Sequence, residues 1–138
     1  MGVMKTDLGM HILIVEDNDI NLDMLSMTIE SFGCTFDSAI NGKLALDVIK
    51  HTGKMPSDTF DAIIMDVQMP VMDGLEATRK IRKIWSTDEI KIIALTAQAL
   101  GKYRQDSLDA GSDYHMVKPY DLHELNALLS EIKAAKNH

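Results

Sequence analysis

The sequence predicts an α/β domain in which a five-stranded parallel sheet is covered by helices on both faces. Five short, β-compatible apolar runs alternate with longer stretches whose apolar residues recur at helical spacing. Strands and helices that alternate in this way form right-handed βαβ units, which place helices on the faces of a parallel sheet. A chain of 138 residues, 46% of them hydrophobic, is large enough to bury such a core as one domain.

The first half of the chain contains two of the predicted strands, at 11–15 and 34–39. A helix follows the first strand, from a cap at Asn18 or Asp19 to Gly33. Asn41 and Gly42 form a turn before a second helix, and residues 51–59 are predicted to be a loop. The inward positions of the two helices are Leu22, Leu25, Ile29, Phe32, Leu44, Ala45, Val48 and Ile49.

The third strand, at 62–65, leads directly into the isolated carboxylate of Asp66. Pro70 prevents this strand from continuing, because proline has no N–H to donate to a sheet. A third helix follows the turn at Asp73 and Gly74. It contains Arg79, Lys80, Arg82 and Lys83, a cluster that is typical of a solvated charged face more often than of an anion site.

The remaining predicted elements are a strand at 91–95, a helix at 97–110, a strand at 114–117 and a last helix. Gly111 ends the helix at 97–110. Asp121 and Glu124 have the spacing of a capping box at the start of the last helix. Its inward positions are predicted to be Leu122, Leu125, Leu128, Leu129 and Ile132.

Composition limits the function classes. A net charge of −7 argues against nucleic-acid binding, which usually requires a basic patch. The single cysteine, Cys34, excludes an internal disulfide and a cysteine-based zinc site. There is no signal peptide and no apolar run long enough to span a bilayer. We therefore expect a cytoplasmic domain at 11–134 that contacts neither DNA nor membrane, with a flexible lead at 1–10 and a tail at 135–138.

Polar residues follow four of the five predicted strands. Glu16 and Asp17 follow the first strand, and Asp66, Thr96 and Lys118 follow the third, fourth and fifth. The carboxyl ends of parallel strands lie along one edge of the sheet, where open α/β sheets build their sites. Each residue alone has an ordinary explanation as a cap or a surface side chain, but their coincidence at one edge predicts a functional site.

The residue types at this edge indicate phosphoryl chemistry. Carboxylates that lie close together repel one another unless a hard divalent cation neutralises them, and Mg²⁺ suits one or two carboxylates plus waters. A lysine and a threonine hydroxyl can bind the oxygens of an incoming phosphoryl group. With Asp66 as nucleophile, the predicted reaction is formation of an aspartyl phosphate.

From Ile12 to about Ile132 the sequence resembles the receiver domains of two-component response regulators. The matching motifs are Val-Glu-Asp-Asn at 15–18, Met-Asp-Val-Gln-Met-Pro-Val-Met-Asp-Gly at 65–74, Ala-Leu-Thr-Ala at 94–97 and Lys-Pro at 118–119. The segments at 95–99 and 111–114 are most similar to receivers of hybrid histidine kinases and phosphorelays. The resemblance implies a flavodoxin-like (βα)5 fold with strand order 2-1-3-4-5.

The resemblance also implies a role for each site residue. Asp66 is expected to be the phosphoacceptor, and Thr96 and Lys118 to bind the phosphoryl oxygens. Mg²⁺, for which Mn²⁺ can substitute, is expected to be held by Asp17, Asp66, the backbone carbonyl of Gln68 and, through water, Glu16. The bond between Lys118 and Pro119 is usually cis in the family.

The implied partner is a histidine kinase or a histidine-phosphotransfer protein. The domain itself is then a signalling phosphoacceptor that assists its own phosphorylation and dephosphorylation, and not an enzyme. A downstream partner or a longer parent chain would supply the output.

Two sets of residues extend the site. The family's switch couples Thr96 to an aromatic residue three places before the lysine, but His115 stands there, and strand alternation keeps Tyr114 on the other face. Ile20, Met24 and Met27 form a second apolar set on the first helix, which with Tyr120 is predicted to dock the phosphodonor. The alternative for this set is a broader buried face.

Two functions from other classes also fit an α/β domain with these motifs. A haloacid-dehalogenase-type phosphatase forms an aspartyl phosphate, but it requires a second aspartate two places after the nucleophile, where Gln68 stands. A flavodoxin-like ligand-binding module requires a glycine-rich or hydroxyl-rich phosphate loop after the first strand. Glu16 and Asp17 occupy that place and would repel a phosphate in the absence of a cation.

Overall fold

The computed structural model describes residues 4–52, 56–67, 73–97 and 101–136. Five strands alternate with five helices of at least ten residues, and one additional single-turn helix precedes the third strand. In chain order the elements are β1 His11–Val15, α1 Asp19–Ser31, β2 Thr35–Ala39, α2 Gly42–His51, α3 Pro56–Thr59, β3 Ala62–Asp66, α4 Gly74–Ile84, β4 Ile92–Thr96, α5 Gly101–Ala110, β5 Tyr114–Val117 and α6 Leu122–Lys136.

The five strands form one sheet in the order β2-β1-β3-β4-β5, and every neighbouring pair is parallel. The predicted fold class and strand order are therefore confirmed. The register aligns Val15 with Met65 and Asp66 with Leu95. These pairings bring the residues that follow β1, β3, β4 and β5 to one edge of the sheet.

Strand alternation divides the interior into two cores. Ile12 and Ile14 face α1 and α6 in the first core, whereas Leu13 and Val15 face α2 and α4 in the second. All four strand residues are fully buried, and each such side chain stabilises the fold by about 1.5–3 kcal/mol. Both faces of β1 are apolar because both are covered, as expected for a parallel sheet.

Several boundaries differ from the sequence prediction. The predicted loop at 51–59 contains the single turn of α3, and α2 extends to His51. β4 includes Thr96, and the first part of the helix predicted at 97–110 lies outside the described residues. Leu44 and Leu122, which the helical spacing placed among the inward positions, are exposed. Leu44 lies off the buried face of α2, which begins at Gly42, whereas Leu122 lies in the first turn of α6, before its first buried residue.

Residues 4–10 correct the predicted flexible lead. Leu8 and Met10 are buried in the first core, and Met4 packs against it. The Lys5 backbone N–H donates to Asn126 Oδ1 over 3.0 Å, and Asn126 Nδ2 donates back to the Lys5 carbonyl over 2.8 Å. Residues 4–10 therefore pack on the domain between α1 and α6 and do not form a flexible lead. Residues 1–3 of the predicted lead lie outside the described residues.

Arg82 joins α4 to the segments that precede β4 and β5. Its Nε donates to the Gly111 carbonyl over 2.8 Å, and its Nη2 contacts Asp113 Oδ2 at 2.6 Å. Nη1 donates to the carbonyls of Ser86 and Ile90. Of the four cations predicted on this helix, Arg82 thus has a structural role in joining α4, β4 and the turn before β5.

Candidate functional site

The carboxyl ends of the strands place four of the predicted residues side by side. Glu16, Asp66 and Thr96 are buried, with exposed fractions of 4%, 4% and 1%, whereas Asp17 is exposed. Backbone hydrogen bonds hold the strand ends in place: Glu16 N–H donates to the Ala39 carbonyl over 3.0 Å, and Lys118 N–H donates to the Thr96 carbonyl over 2.7 Å. The fifth residue, Lys118, follows β5 beside them.

Lys118 points its ammonium group at both buried carboxylates. Its Nζ lies 3.3 Å from Asp66 Oδ1 and 3.6 Å from Glu16 Oε1. The peptide bond between Lys118 and Pro119 is cis, as the family resemblance implied. The lysine therefore supplies one positive charge beside two buried carboxylates, together with three N–H donors.

The carboxylate of Glu16 is buried next to a second buried carboxylate, that of Asp66. Burial, together with the neighbouring Asp66 carboxylate, raises the pKa of the Glu16 carboxyl group to about 7 against the opposing effect of Lys118. Neither carboxylate oxygen of Glu16 has a hydrogen-bond partner among the described residues. Buried oxygens of this kind normally require a proton or a cation.

The donor set at this edge fits a hard divalent cation. One carboxylate oxygen from each of Glu16, Asp17 and Asp66 lies within 4.8 Å of the others, which is a spacing that a single ion can bridge. Oxygen donors alone suit Mg²⁺, and the unsatisfied oxygens of Glu16 provide a further place for a metal-bound water. Gln68, whose carbonyl was the other predicted ligand, lies outside the described residues.

Gly74 lies beside the site, although the sequence analysis gave it no role beyond the turn and the motif at 65–74. It begins α4 directly against the end of β3, and its N–H donates to the Val67 carbonyl over 2.9 Å. A Cβ atom at this position would lie 2.1 Å from the carbonyl oxygen of Asp66. Asp73 caps the same helix by accepting from Glu76 N–H at 2.8 Å. Only glycine allows α4 to approach the end of β3 so closely.

The predicted switch pair shares one face of the sheet. In the register of β4 and β5, Ala94 aligns with His115 and Thr96 with Val117, so Thr96 and His115 are diagonal neighbours. Tyr114 packs against the first core on the other face, as strand alternation predicted. His115 Nε2 is buried and has no hydrogen-bond partner among the described residues. Burial, and then the charge of Arg104, hold the pKa of His115 below its usual range.

A groove of about 740 Å³ begins at Asp66 and extends along α1. Three of the predicted docking residues are on the exposed surface of α1, with exposed fractions of 70% for Ile20, 59% for Met24 and 69% for Met27. The alternative of a broader buried face is therefore wrong. Met24, Met27 and Tyr120 line the groove, and the Tyr120 hydroxyl lies 3.4 Å from Thr28 Oγ1.

Two further residues belong to this groove but were not predicted. Asn21 lies near Glu16 and lowers the pKa of its carboxyl, although burial dominates. Leu122 is 45% exposed and lines the groove opposite α1. Its position directly after the capping residue Asp121 was the available signal, because a first-turn residue often lies beyond the covered part of a helix.

Comparison with known proteins identifies the same family as the motifs. Residues 12–130 match the family described as response regulator receiver domain. The chain is 36% identical over 130 residues to hybrid signal transduction histidine kinase L of Dictyostelium discoideum, covering 92% of the chain but 7% of that protein. It is 33% identical over 127 residues to the peroxide stress-activated histidine kinase mak1 of Schizosaccharomyces pombe, covering 90% of the chain and 8% of that protein. The chain thus spans less than a tenth of these relatives.

Solved structures show the same fold. The receiver domain of sensor histidine kinase PA1611 from Pseudomonas aeruginosa, with magnesium in its active-site cleft, has a TM-score of 0.79 at 34% identity, covering 91% of this chain and 98% of that one. The receiver domain of Saccharomyces cerevisiae Ssk1, crystallised with the histidine phosphotransfer protein Ypd1, has a TM-score of 0.80 at 28% identity, covering 98% and 94%. Among the described residues, no helix is both long enough and apolar enough to cross a membrane.

The pKa of Glu16 predicts an unusual pH dependence of stability. Because the folded protein binds this proton more tightly than the unfolded chain, the metal-free protein should lose stability as pH rises from about 4.5 to about 7. The loss should be on the order of 3 kcal/mol, and it should disappear in Glu16→Gln. Urea unfolding in EDTA at pH 5 and pH 7.5 measures it.

Other titrating groups are removed by taking the difference between the parent and Glu16→Gln at each pH. The exposed Glu124→Gln is the matched control and should keep the slope of the parent. An identical pH slope in the parent and in Glu16→Gln would show that Glu16 does not titrate in this range.

Proposed function

Because the chain belongs to the response regulator receiver domain family, we propose that it accepts a phosphoryl group on Asp66 from a histidine kinase or a histidine-phosphotransfer protein. It then passes the signal on by conformational change or by onward transfer. The observation that supports this most directly is the buried Asp66 carboxylate, 3.3 Å from Lys118 Nζ and grouped with Glu16 and Asp17.

The transfer requires an in-line displacement at phosphorus. A carboxylate oxygen of Asp66 forms the new O–P bond while the P–N bond to the donor histidine breaks, and the leaving imidazole keeps the electron pair and takes a proton. Lys118 supplies positive charge to a phosphoryl oxygen, and the Thr96 hydroxyl supplies a hydrogen-bond donor. Burial of Asp66 keeps competing water away from the carboxylate.

The metal ligands proposed are the carboxylates of Asp17 and Asp66, the Gln68 backbone carbonyl and, through water, Glu16. When bound, Mg²⁺ would neutralise part of the carboxylate charge and bind a phosphoryl oxygen. Mn²⁺ prefers the same oxygen donors and can substitute. In this arrangement the domain assists its own phosphorylation and dephosphorylation without being a conventional enzyme. A cytoplasmic location is part of the proposal, in keeping with the free, buried thiol of Cys34.

Acetyl phosphate provides the direct test of the phosphoacceptor. With Mg²⁺ the parent should gain the mass of one phosphate, and Asp66→Ala should gain none. Intact-mass measurement after a few minutes gives the result, and EDTA should abolish the gain. Asp73→Ala is a matched control, because Asp73 is an exposed aspartate that caps α4 and should leave labelling intact. Labelling that persists in Asp66→Ala would refute the assignment, and turnover of a phosphate ester would indicate a phosphatase instead.

The surface proposed for the phosphodonor is the apolar row on α1 with Tyr120. Ile20, Met24 and Met27 are exposed at helical spacing, and the groove beside them leads to Asp66. An exposed apolar row of this kind is typical of a protein contact. A helix of a histidine-phosphotransfer protein laid along this row would bring its histidine to the phosphoacceptor.

Met24→Glu should slow phosphotransfer from a protein donor about tenfold, because a charge replaces an apolar contact near the centre of the row. Labelling by acetyl phosphate should stay at the level of the parent, since the small donor does not use α1. Rapid-quench transfer assays compare the two donors. Leu108→Glu, at an exposed apolar position on α5, is the control and should transfer normally. Equal slowing with both donors would place the defect at Asp66 and not at a docking surface.

The switch proposed for this chain couples Thr96 to His115. Phosphorylation adds roughly two negative charges at Asp66, and Thr96 can turn to donate to them, which leaves space on the face that it shares with His115. His115 Nε2 has no hydrogen-bond partner in the described part of the chain, so the ring can gain a hydrogen bond by reorienting. An imidazole buries less apolar area than a phenol, so the two states should be less sharply separated than with tyrosine.

NMR of the His115 ring tests this switch. The ring should titrate below the usual range for histidine, because burial and Arg104 disfavour its charged form. Beryllofluoride with Mg²⁺ should change the ring shifts, and in Thr96→Ala the change should shrink to the direct effect of the added charge. His123 on the exposed side of α6 is the internal control. Unchanged His115 shifts would exclude a switching role, and lost labelling in His115→Ala would place the residue in the phosphorylation chemistry itself.

A further inference from the structure

The outer face of α2 and α4 is basic although the chain as a whole is acidic. The two helices pack side by side on the sheet face of the second core. Their exposed charged residues include two acids, Asp47 and Glu76, in a chain of net charge −7. Five exposed cations outnumber these acids: Lys43, Lys50, Arg79, Lys80 and Lys83. By contrast, α1 on the opposite sheet face contains acids and no lysine or arginine.

The contacts of Arg82 show which flank of α4 lies beside α2. Arg82 bonds to Gly111, which directly follows α5, so this flank of α4 faces α5. The helical repeat places Lys80 and Ile84 on the opposite flank, next to α2. Ile84 is 49% exposed there, so the α4 side of the groove between the two helices has a cation and an apolar side chain.

The corresponding flank of α2 follows from an identical burial pattern. α4 buries positions 74, 77, 78 and 81, and α2 buries positions 42, 45, 46 and 49 at the same spacing. Lys50 therefore occupies the place in α2 that Arg82 occupies in α4, on the flank facing the next helix. Lys43 lies seven residues before Lys50, which is two helical turns, and is therefore on the same flank of α2. Cations thus line the groove between α2 and α4 from both sides.

The acids on the two helices are too few to balance these cations: Glu76 stands three and four residues before Arg79 and Lys80, and Asp47 stands four residues after Lys43. None of the five takes part in an ion pair among the described residues. Lys43 lies in the first turn of α2, where the helix dipole disfavours a positive charge. Arg79 and Lys83 are like charges at the i, i+4 spacing, which destabilises a helix. The dipole accounts for Lys50 and Lys83 in the last turns, which leaves the two acids Asp47 and Glu76 against the three cations Lys43, Arg79 and Lys80.

We propose that the groove between α2 and α4 binds an acidic segment of a protein partner. Its carboxylates face Lys43, Lys50 and Lys80, and an apolar side chain contacts Ile84. A protein is favoured over nucleic acid or anionic lipid because the net charge of −7 repels an extended polyanion. Salt screening limits the attraction of the basic groove to ligands in direct contact with it. The proposal does not depend on the phosphoacceptor role, since the groove lies on the sheet face opposite α1.

A synthetic twelve-residue peptide of glutamates and leucines is the probe. Titrated into the labelled protein at low salt, it should shift the amide signals of α2 and α4 and leave those of α1 unchanged. Lys43→Glu/Lys80→Glu should weaken binding about tenfold or more, a difference that calorimetry resolves. Lys5→Glu/Lys102→Glu makes the same change in net charge at exposed positions elsewhere and should bind like the parent.

Each alternative gives a different result. If the amide shifts spread over the whole surface, or if both double variants bind the peptide equally weakly, the binding would depend only on net charge. Either result would overturn the proposal. Tighter binding of duplex DNA or phosphatidylserine vesicles than of the peptide would assign the groove to another polyanion and also overturn it. Acetyl phosphate labelling of Asp66 should be unchanged in Lys43→Glu/Lys80→Glu. This control would show that the fold and the Asp66 site are intact in the variant that no longer binds the peptide.

Discussion

The close burial of like charges at one sheet edge is the constraint on which the rest of the domain depends. Glu16 and Asp66 are both almost inaccessible to solvent, and the ammonium of Lys118 alone cannot neutralise both. A protein tolerates such a cluster only if the surrounding structure holds it in place. The free-energy cost of burying these charges falls mainly on Glu16, whose pKa of about 7 reflects the preference of a buried carboxyl group for its protonated form.

The two cores provide the necessary rigidity. β1 and β3, which position Glu16 and Asp66, are interior strands of the sheet, and their side chains are buried on both faces. Gly74 then allows α4 to begin against the backbone of Asp66, where any larger residue would collide with its carbonyl. The carboxylates are therefore fixed by backbone and packing, and a cation or phosphoryl group can bind there with little reorganisation of the protein.

The sequence predicted the sheet, its order and the edge residues because these depend on local patterns: apolar runs, helical spacing and the residue that follows each strand. It failed where the outcome depends on elements far apart in the chain. Leu8 is buried because the segment before β1 crosses the first core between α1 and α6, and Asn126 secures that segment from a position 121 residues beyond Lys5. Helical periodicity likewise cannot show that Leu122 lies beyond its covering sheet and lines a groove.

The same limit applies to the charged residues of α4. From sequence alone they form a single basic run, and a solvated face is the simplest interpretation. The structure divides the run: Arg82 is used internally to join α4 to the turn before β5, whereas Lys80 faces the groove beside α2. Since α1 lies on the opposite sheet face, an apolar partner helix on α1 and an acidic segment between α2 and α4 would not compete for space. The sheet that positions Glu16 and Asp66 thus also separates two surfaces of different chemistry, so a partner on one surface would not need to leave before the other surface is occupied.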